Sequence, residues 1–419
     1  MWGPLGLDSW MAKRREDLES VIGPVERIID EVRRDGDKAL FSLTERFDKI
    51  RLESVRVDRK AIKAAYSEVE PSVVSALKEA KSRIERFHRL QLENVSWMKE
   101  VEPGIKLGVK VTPLQRVGCY VPGGRASYPS TALMCVVPAK VAGVGEVVCC
   151  TPPPINPLTL VAFDIAGADE VYSLGGVQAI AAMALGTKSV RKVQKIVGPG
   201  NVYVTAAKML LRKEAEIDFP AGPSEIVIVA DSTANPKFIA ADILAQAEHD
   251  PRSPCALITT SEGLARKVGA SLSKGLKVSN RQKILEGSLT NAGYLLVPNL
   301  EEAVRVSDLI APEHLSIQCD RAVAVAAKVK NAGSIFVGHN TAVACGDYAS
   351  GTNHVLPTAG YAAIYSGLDT MHFCKRSSVQ SIDRKGLERI GAVIETLAKA
   401  EGLDAHARSV EVRRNEGRQ

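Results

Sequence analysis

The chain has no CxxC pair, no leader-like stretch of positive charge followed by apolar residues, and no apolar run of membrane-spanning length. Each absence removes a class. Without an apolar run of ~20 residues, a spanning helix is not expected. Without CxxC spacing, zinc-ribbon and thioredoxin-like chemistry is excluded. Most of the eight cysteines (Cys119, Cys135, Cys149, Cys150, Cys255, Cys319, Cys345 and Cys374) fall inside apolar runs, where a free thiol packs as a small core residue. That usage suits a reducing compartment, so a soluble, cytoplasmic protein is expected. Aromatics make up only 5% of residues and do not interleave with basic ones. The formal charge of +6 is small for 419 residues and comes partly from Lys13-Arg14-Arg15 and Arg413-Arg414, which argues against a nucleic-acid partner. A GxGxxG following a strand is also missing, so the ordinary dinucleotide fingerprint is absent.

What is present is a long chain of ordinary globular composition, 45% hydrophobic and 24% charged, for which two or more domains are the natural expectation. Met11, followed by Lys13-Arg14-Arg15, is an alternative natural start. Residues from about 17 to 92 read as helical: Val21, Ile22, Val25, Ile28, Ile29 and Val32 recur at helical spacing, with a break at Asp35-Gly36-Asp37. From Ile105 the period becomes strict alternation, and Arg116–Val121 follows as a strand before Pro122-Gly123-Gly124 turns the chain. Short apolar strands then alternate with helices: Val147–Cys150, Glu170–Leu174 and Lys195–Val197 are the strands. A second series begins at Glu225–Ala230 and continues through Ala256–Thr259, Tyr294–Val297, His314–Ile317 and Ser334–Val337. Such alternation predicts parallel sheets covered on both faces. The expected fold is therefore α/β, with two Rossmann-like open parallel-sheet domains, a helical N-terminal region and a projecting helical tail from Asp383. A tail without its own core needs a surface to pack on, and a partner subunit would serve.

Four polar stretches could carry chemistry. Ala241–Asp250 reads as a helix stopped by Pro251, with Gln246 and His249 three apart on one side, half of a plausible divalent-metal site. Taken alone, the pair reads as a solvated helix end, as most polar pairs on helices are. Glu313-His314 stands immediately before a strand, where acid and imidazole can divide proton work. The segment Gly346–Thr358 is rich in turn formers and frames Asp347, a hard oxygen ligand, and His354, suited to substrate or metal. Glu401-Gly402-Leu403-Asp404-Ala405-His406 places an acid and a histidine around a helix break. Of seven histidines, four lie in these stretches, while His88, His339 and His372 do not. The turns Pro122-Gly123-Gly124, Gly175-Gly176-Val177-Gln178 and Gly198-Pro199-Gly200-Asn201 stand at strand ends, where backbone and helix N-termini could hold an anion or nucleotide.

Taken together, Tyr120–Gly124, Gly198–Asn201, Ala221–Glu225, Gln246–His249, Ala311–Leu315, Asn331–Ser334, Gly346–Tyr348, Asn353–Thr358 and Glu401–Leu403 resemble the histidinol dehydrogenase family in order and spacing. The resemblance covers nearly the whole chain. It implies a zinc-containing, NAD-dependent homodimer that oxidises L-histidinol through the bound aldehyde to L-histidine. It further implies that Gln246, His249, Asp347 and a neighbouring subunit's His406 bind one zinc ion per subunit. Glu313 and His314 would be the proton acceptors. Ser224, Gln246, His249, His314, Asp347, His354, Glu401 and His406 would contact substrate, and Tyr120, Gln178 and Asn201 would line the NAD site. One departure is Ala363, where relatives often carry a basic residue.

On this reading residues 1–20 form an arm, and residues 21–110 and 225–380 form one α/β domain carrying the metal and catalytic segments. Residues 111–224 are an inserted NAD-binding domain, and residues 381–419 a dimerisation tail. The rivals are a related zinc/NAD dehydrogenase acting on another polar alcohol, a zinc hydrolase that needs no nicotinamide, and a metal-stapled scaffold without turnover.

Overall fold

The computed structural model describes residues 2–14, 18–123 and 127–416, divided into two compact units: residues 1–90 with 114–373, and residues 91–113 with 374–419. Among the described residues thirteen strands form three sheets. Strands β1 (Trp97–Glu102) and β2 (Ile105–Pro113) belong to the smaller unit. The larger unit holds β3 (Arg116–Tyr120), β4 (Glu146–Thr151), β5 (Glu170–Ser173), β6 (Lys195–Val197) and β7 (Glu216–Ile217) in one sheet. Its second sheet comprises β8 (Ile226–Ala230), β9 (Cys255–Thr259), β10 (Ala292–Leu296), β11 (His314–Gln318) and β12 (Ser334–Val337).

Both five-stranded sheets are parallel and share one topology. The orders β5-β4-β3-β6-β7 and β10-β9-β8-β11-β12 each place the first strand of the series in the middle and reverse direction beside it. That reversal is the doubly wound switch point, which lies between β3 and β6 in the first sheet and between β8 and β11 in the second. All five residues of β3, β8, β9 and β11 are buried, the signature of strands covered on both faces. Each fully buried Val, Ile or Leu contributes roughly 1.5–3 kcal/mol.

One face of the first sheet is covered by helices Glu19–Asp35, Asp37–Asp48, Gly176–Leu185 and Val202–Leu210, through a cluster that includes Val25, Leu40, Tyr172 and Ile180. The sequence grouped residues 21–110 with the second sheet. Instead, Val21, Val25, Ile28, Ile29 and Val32 seal the first sheet's core, and residues 91–113 join the smaller unit. The second sheet is covered on one side by Pro236–Ala247 and Glu262–Val278, and on the other by Leu300–Ile310 and the N-terminal Trp10.

In the smaller unit β2 pairs antiparallel with β1 and with β13 (Cys374–Ile382), and helix Arg384–Ala400 packs on Asp404–Asn415. All eight cysteines are free, and no helix among the described residues is long and apolar enough to cross a membrane.

Candidate active site

The larger unit contains a cavity of about 660 Å³. One wall is the carboxyl edge of the first sheet, with Gly123 after β3 and Gly198, Gly200 and Asn201 after β6. The other is the amino edge of the second sheet, with Ser224 before β8 and Glu313 and His314 at the start of β11.

His314 sits on an inner strand, paired with Ile226 of β8 on one side and Ser334 of β12 on the other. Its Nδ1 lies 3.1 Å from the Glu225 carbonyl oxygen. A carbonyl only accepts, so Nδ1 carries the proton and Nε2 keeps a lone pair. That Nε2 is buried without a hydrogen-bond partner, 3.9 Å from Asp347 Oδ1. Burial pushes the imidazole's pKa down, so it stands neutral and basic at Nε2.

Glu313 is 3% exposed. Its Oε2 accepts from the Glu225 amide at 2.8 Å and its Oε1 from the Ser224 hydroxyl at 3.4 Å. Burial, the largest cause, with the nearby Glu225 and Asp347 carboxylates raises its pKa well above the usual carboxylate range. An acid pushed up and an imidazole pushed down, side by side, suit two different proton transfers.

Asp347 lies in the last turn of helix Val343–Tyr348, where an irregular loop was expected. Its backbone carbonyl accepts from His354 Nδ1 at 2.9 Å, and His354 Nε2 lies 3.1 Å from Thr131 Oγ1 on helix Pro129–Ala142. Both imidazole nitrogens of His354 are therefore occupied, which fixes the ring in the wall.

The helix carrying Gln246 ends at Ala247, so Gln246 and His249 are not successive turns of one helix. Pro251 disfavours helix in the preceding residues, and His249 lies beyond the end, lining the cavity from an exposed position. Gln246 is buried, and its Nε2 has no partner. Among the described residues no group of three or more His, Cys, Asp or Glu forms a metal cage. A cage in this unit would need the Gln246 amide beside His249 and Asp347. The orphaned amide end suits that role chemically, since turned about its terminal bond it presents an oxygen, although Gln246 is not itself among the residues lining the cavity. One amide, one imidazole and one carboxylate supply three of the four donors that zinc takes.

The candidate dinucleotide residues divide. Asn201 lines the cavity, its Oδ1 accepting from the amides of Tyr203 and Val204 at 3.1 Å each. Tyr120 and Gln178 are buried, and neither is among the residues lining the cavity. The Tyr120 hydroxyl instead accepts from the Gly176 amide at 3.0 Å and so fixes the Gly175–Gly176 turn. Gly198 has φ +112°, and a Cβ there would meet the Tyr120 carbonyl oxygen at 2.1 Å, so the turn after β6 packs directly on β3 at the switch point. Nothing but glycine fits. Ser224, Asn201, His249, Glu313, His314, Asp347 and His354 thus share one cavity, whereas Glu401 and His406 are exposed residues of the smaller unit.

Sequence reading missed two buried ion pairs behind these walls. Lys208 pairs with Asp218, and the two hold both polar groups of Gly198: Lys208 Nζ donates to its carbonyl at 2.9 Å and its amide donates to Asp218 Oδ2 at 2.8 Å. Arg14 pairs with Glu225. The available signal was a single charge set among apolar neighbours, as in Ile217-Asp218-Phe219 and Glu225-Ile226-Val227.

A doubly wound double sheet with a neutral imidazole base, a buried carboxyl and glycine turns facing them defines an α/β enzyme of the dehydrogenase type. The histidinol dehydrogenase family model matches residues 11–414. The chain is 51% identical to the histidinol dehydrogenase of Methanothermobacter thermautotrophicus, covering 95% of this chain and 94% of that one. It is 50% identical to that of Methanosarcina barkeri, covering 96% and 94%. The crystal structure of histidinol dehydrogenase from Elizabethkingia anophelis superposes with a TM-score of 0.94 at 38% identity, covering 99% of this chain and 98% of that one. The chain belongs to the histidinol dehydrogenase family, and it is an oxidoreductase acting on an alcohol and its aldehyde.

Proposed function

We propose that the protein oxidises L-histidinol through L-histidinaldehyde to L-histidine, the closing steps of histidine biosynthesis, using two NAD⁺ and one zinc ion per subunit. The observation that carries this reading is the unpartnered Nε2 of a neutral His314 beside the buried Glu313, facing the glycine turns of a doubly wound sheet. Zinc, when bound by Gln246, His249, Asp347 and His406 of the partner subunit, supplies a grip on the substrate's amine and imidazole nitrogens. NAD⁺, when bound near Tyr120, Gln178 and Asn201, supplies the hydride acceptor.

The chain's own residues then manage protons. His314 Nε2 takes the hydroxyl proton as the carbinol carbon loses hydride, leaving the aldehyde. Glu313, ionised, accepts a proton from the water that adds to the aldehyde carbon, and the resulting hydrate is the second hydride donor. Ser224, with the ring face of His354 beside it in the cavity wall, holds the substrate between the steps and keeps the aldehyde from escaping.

Residues 111–224 are assigned as the dinucleotide-binding lobe and residues 381–419 as a dimerisation tail. Support for a homodimer comes from the smaller unit, which leaves Trp97, Met98, Val393 and Leu397 at least 45% exposed. The cysteine usage supports a reducing, cytoplasmic setting.

The deciding experiment incubates zinc-loaded protein with L-histidinol and NAD⁺ and counts NADH against histidine released. Two NADH per histidine is expected. No NADH with histidinol, but NADH with another polar alcohol, would transfer the assignment to a related dehydrogenase. Hydrolytic turnover without nicotinamide would overturn it altogether.

A further inference from the structure

The N-terminal arm reaches the back of the catalytic pair. Helix Leu7–Lys13 is anchored by Trp10, which is 3% exposed and donates from Nε1 to the Asn291 carbonyl at 2.9 Å. Arg14 follows as the helix cap, its guanidinium 5.2 Å from the Trp10 ring centre and its side chain 4% exposed. It binds Glu225 with two donors: Nε meets Oε2 at 2.5 Å, and Nη2 meets Oε1. A third donor, Nη1, reaches the Ile310 carbonyl at 2.9 Å, where helix Leu300–Ile310 ends just before the catalytic loop.

Glu225 touches that loop in three ways and the segment at Ala359 in a fourth. Its Oε1 accepts the Glu313 amide at 3.3 Å and the Ala359 amide at 3.2 Å. Its own amide donates to the Glu313 carboxylate at 2.8 Å, and its carbonyl accepts from His314 Nδ1 at 3.1 Å. The backbone of one residue thus orients both proton-handling side chains, while its side chain is gripped by a fork donor from the arm. A bidentate Arg–carboxylate pair fixes direction as well as distance.

We propose that Arg14 and Glu225 are positioning residues for Glu313 and His314, and that the N-terminal arm is part of the active-site framework. The pair holds Glu225 so that its carbonyl keeps His314 in the Nδ1–H form, with Nε2 facing the cavity. Neither residue touches substrate. The roles of Glu313 and His314 in this statement rest on the functional reading above; the geometry of the pair does not.

The test uses the full-length, zinc-loaded protein with Arg14→Met, Arg14→Lys and the double variant Arg14→Met/Glu225→Gln. Arg14→Met leaves a buried carboxylate unpaired and lowers the thermal midpoint, whereas the double variant removes both charges and recovers it. Positioning predicts that kcat nevertheless stays down about 10- to 100-fold in the refolded-stable double variant, with KM for histidinol within about threefold of the parent. Arg14→Lys, which keeps charge but loses the fork, is expected to fall between.

An independent readout is the ring ¹⁵N spectrum of histidine-labelled protein. With only seven histidines, the His314 signal is assigned by its loss in His314→Asn. The parent is expected to show the Nδ1–H form and the double variant a mixture. A double variant with parental kcat and an unchanged His314 spectrum would overturn the proposal. If the parent itself fails to oxidise histidinol, the functional reading falls, and the spectrum still decides the positioning claim.

Discussion

Replacing Glu313 with Gln should separate the two oxidations. The buried Gln side chain keeps an acceptor for the Glu225 amide and turns its NH₂ toward the Ser224 hydroxyl, which can accept, so the local hydrogen bonds survive. Because burial raises the Glu313 carboxyl well above its usual range, deleting its charge relieves an unfavourable term, and the thermal midpoint should hold or rise. What is lost is the proposed base for the aldehyde step. General-base assistance is worth about 10²–10⁴ in rate, or roughly 3–5 kcal/mol of barrier at 1.36 kcal/mol per tenfold. The alcohol step, served by His314, should stay within about threefold, well under 1 kcal/mol. Stopped-flow with histidinol is expected to show one fast NADH equivalent, then a stall in which the aldehyde can be trapped by semicarbazide. Supplied histidinaldehyde should react 10²-fold or more slowly than in the parent. The base works only when ionised, so the parental aldehyde step should rise with pH through a range above that of an ordinary carboxyl and fade as pH falls. Aldehyde oxidation by Glu313→Gln at parental speed, or equal loss of both steps, would refute the division of labour.

Three further outcomes are expected. The buried Asp242, pushed up by burial to about 6 from 3.8, accepts from Gln318 Nε2 at 2.9 Å and from the Val343 amide. A raised acid binds its proton more tightly when folded, so it costs stability above about pH 6 and the cost vanishes toward pH 3.8. Asp242→Asn should therefore stabilise by about 1–2 kcal/mol at pH 7.5 and by much less at pH 4.5; denaturant titrations giving the same gain at both would contradict this. Gly198→Ala forces a Cβ against the Tyr120 carbonyl, so calorimetry should show NAD⁺ binding at least about tenfold weaker together with a lowered thermal midpoint; an unaltered Kd would detach this turn from the dinucleotide. Mixing His406→Asn with His249→Asn protein should regain part of the activity that each homodimer lacks, and failure to do so would place the tail over its own subunit's site.

The alternation of short apolar strands made both parallel sheets legible, and Lys195–Val197 and Ser334–Val337 stand where the pattern put them. Burial on two faces leaves a compositional mark that periodicity detects. Strand β13 leaves no such mark: Lys375, Arg376, Ser377, Ser378, Gln380 and Ser381 give no apolar alternation, and its pairing with β2 is set by residues more than 250 positions away. The same holds for helix Glu19–Asp35, whose apolar stripe was evident but whose partner was not. At the site, Glu313, His314, Asp347 and His354 could be picked out because polar residues clustered in the sequence. Asp218 and Glu225 are marked only as lone charges among apolar neighbours, and their pairing with Lys208 and Arg14 could not be read, since each makes sense only beside an opposite charge distant in sequence or across a turn.

His314 is mounted on an inner strand, locked to a neighbour on either side. A residue mounted on such a beam resists drift: its backbone cannot shift without disturbing the ladders on both sides, and its ring is steadied by the Glu225 carbonyl at 3.1 Å. Innovation in this lineage, or in the laboratory, therefore has to come from the rest of the cavity wall, above all Asp347, Tyr348 and the segment from His354 to Thr358. New substrates would be admitted by re-tailoring that wall, while the nitrogen proposed as the base stays where it is.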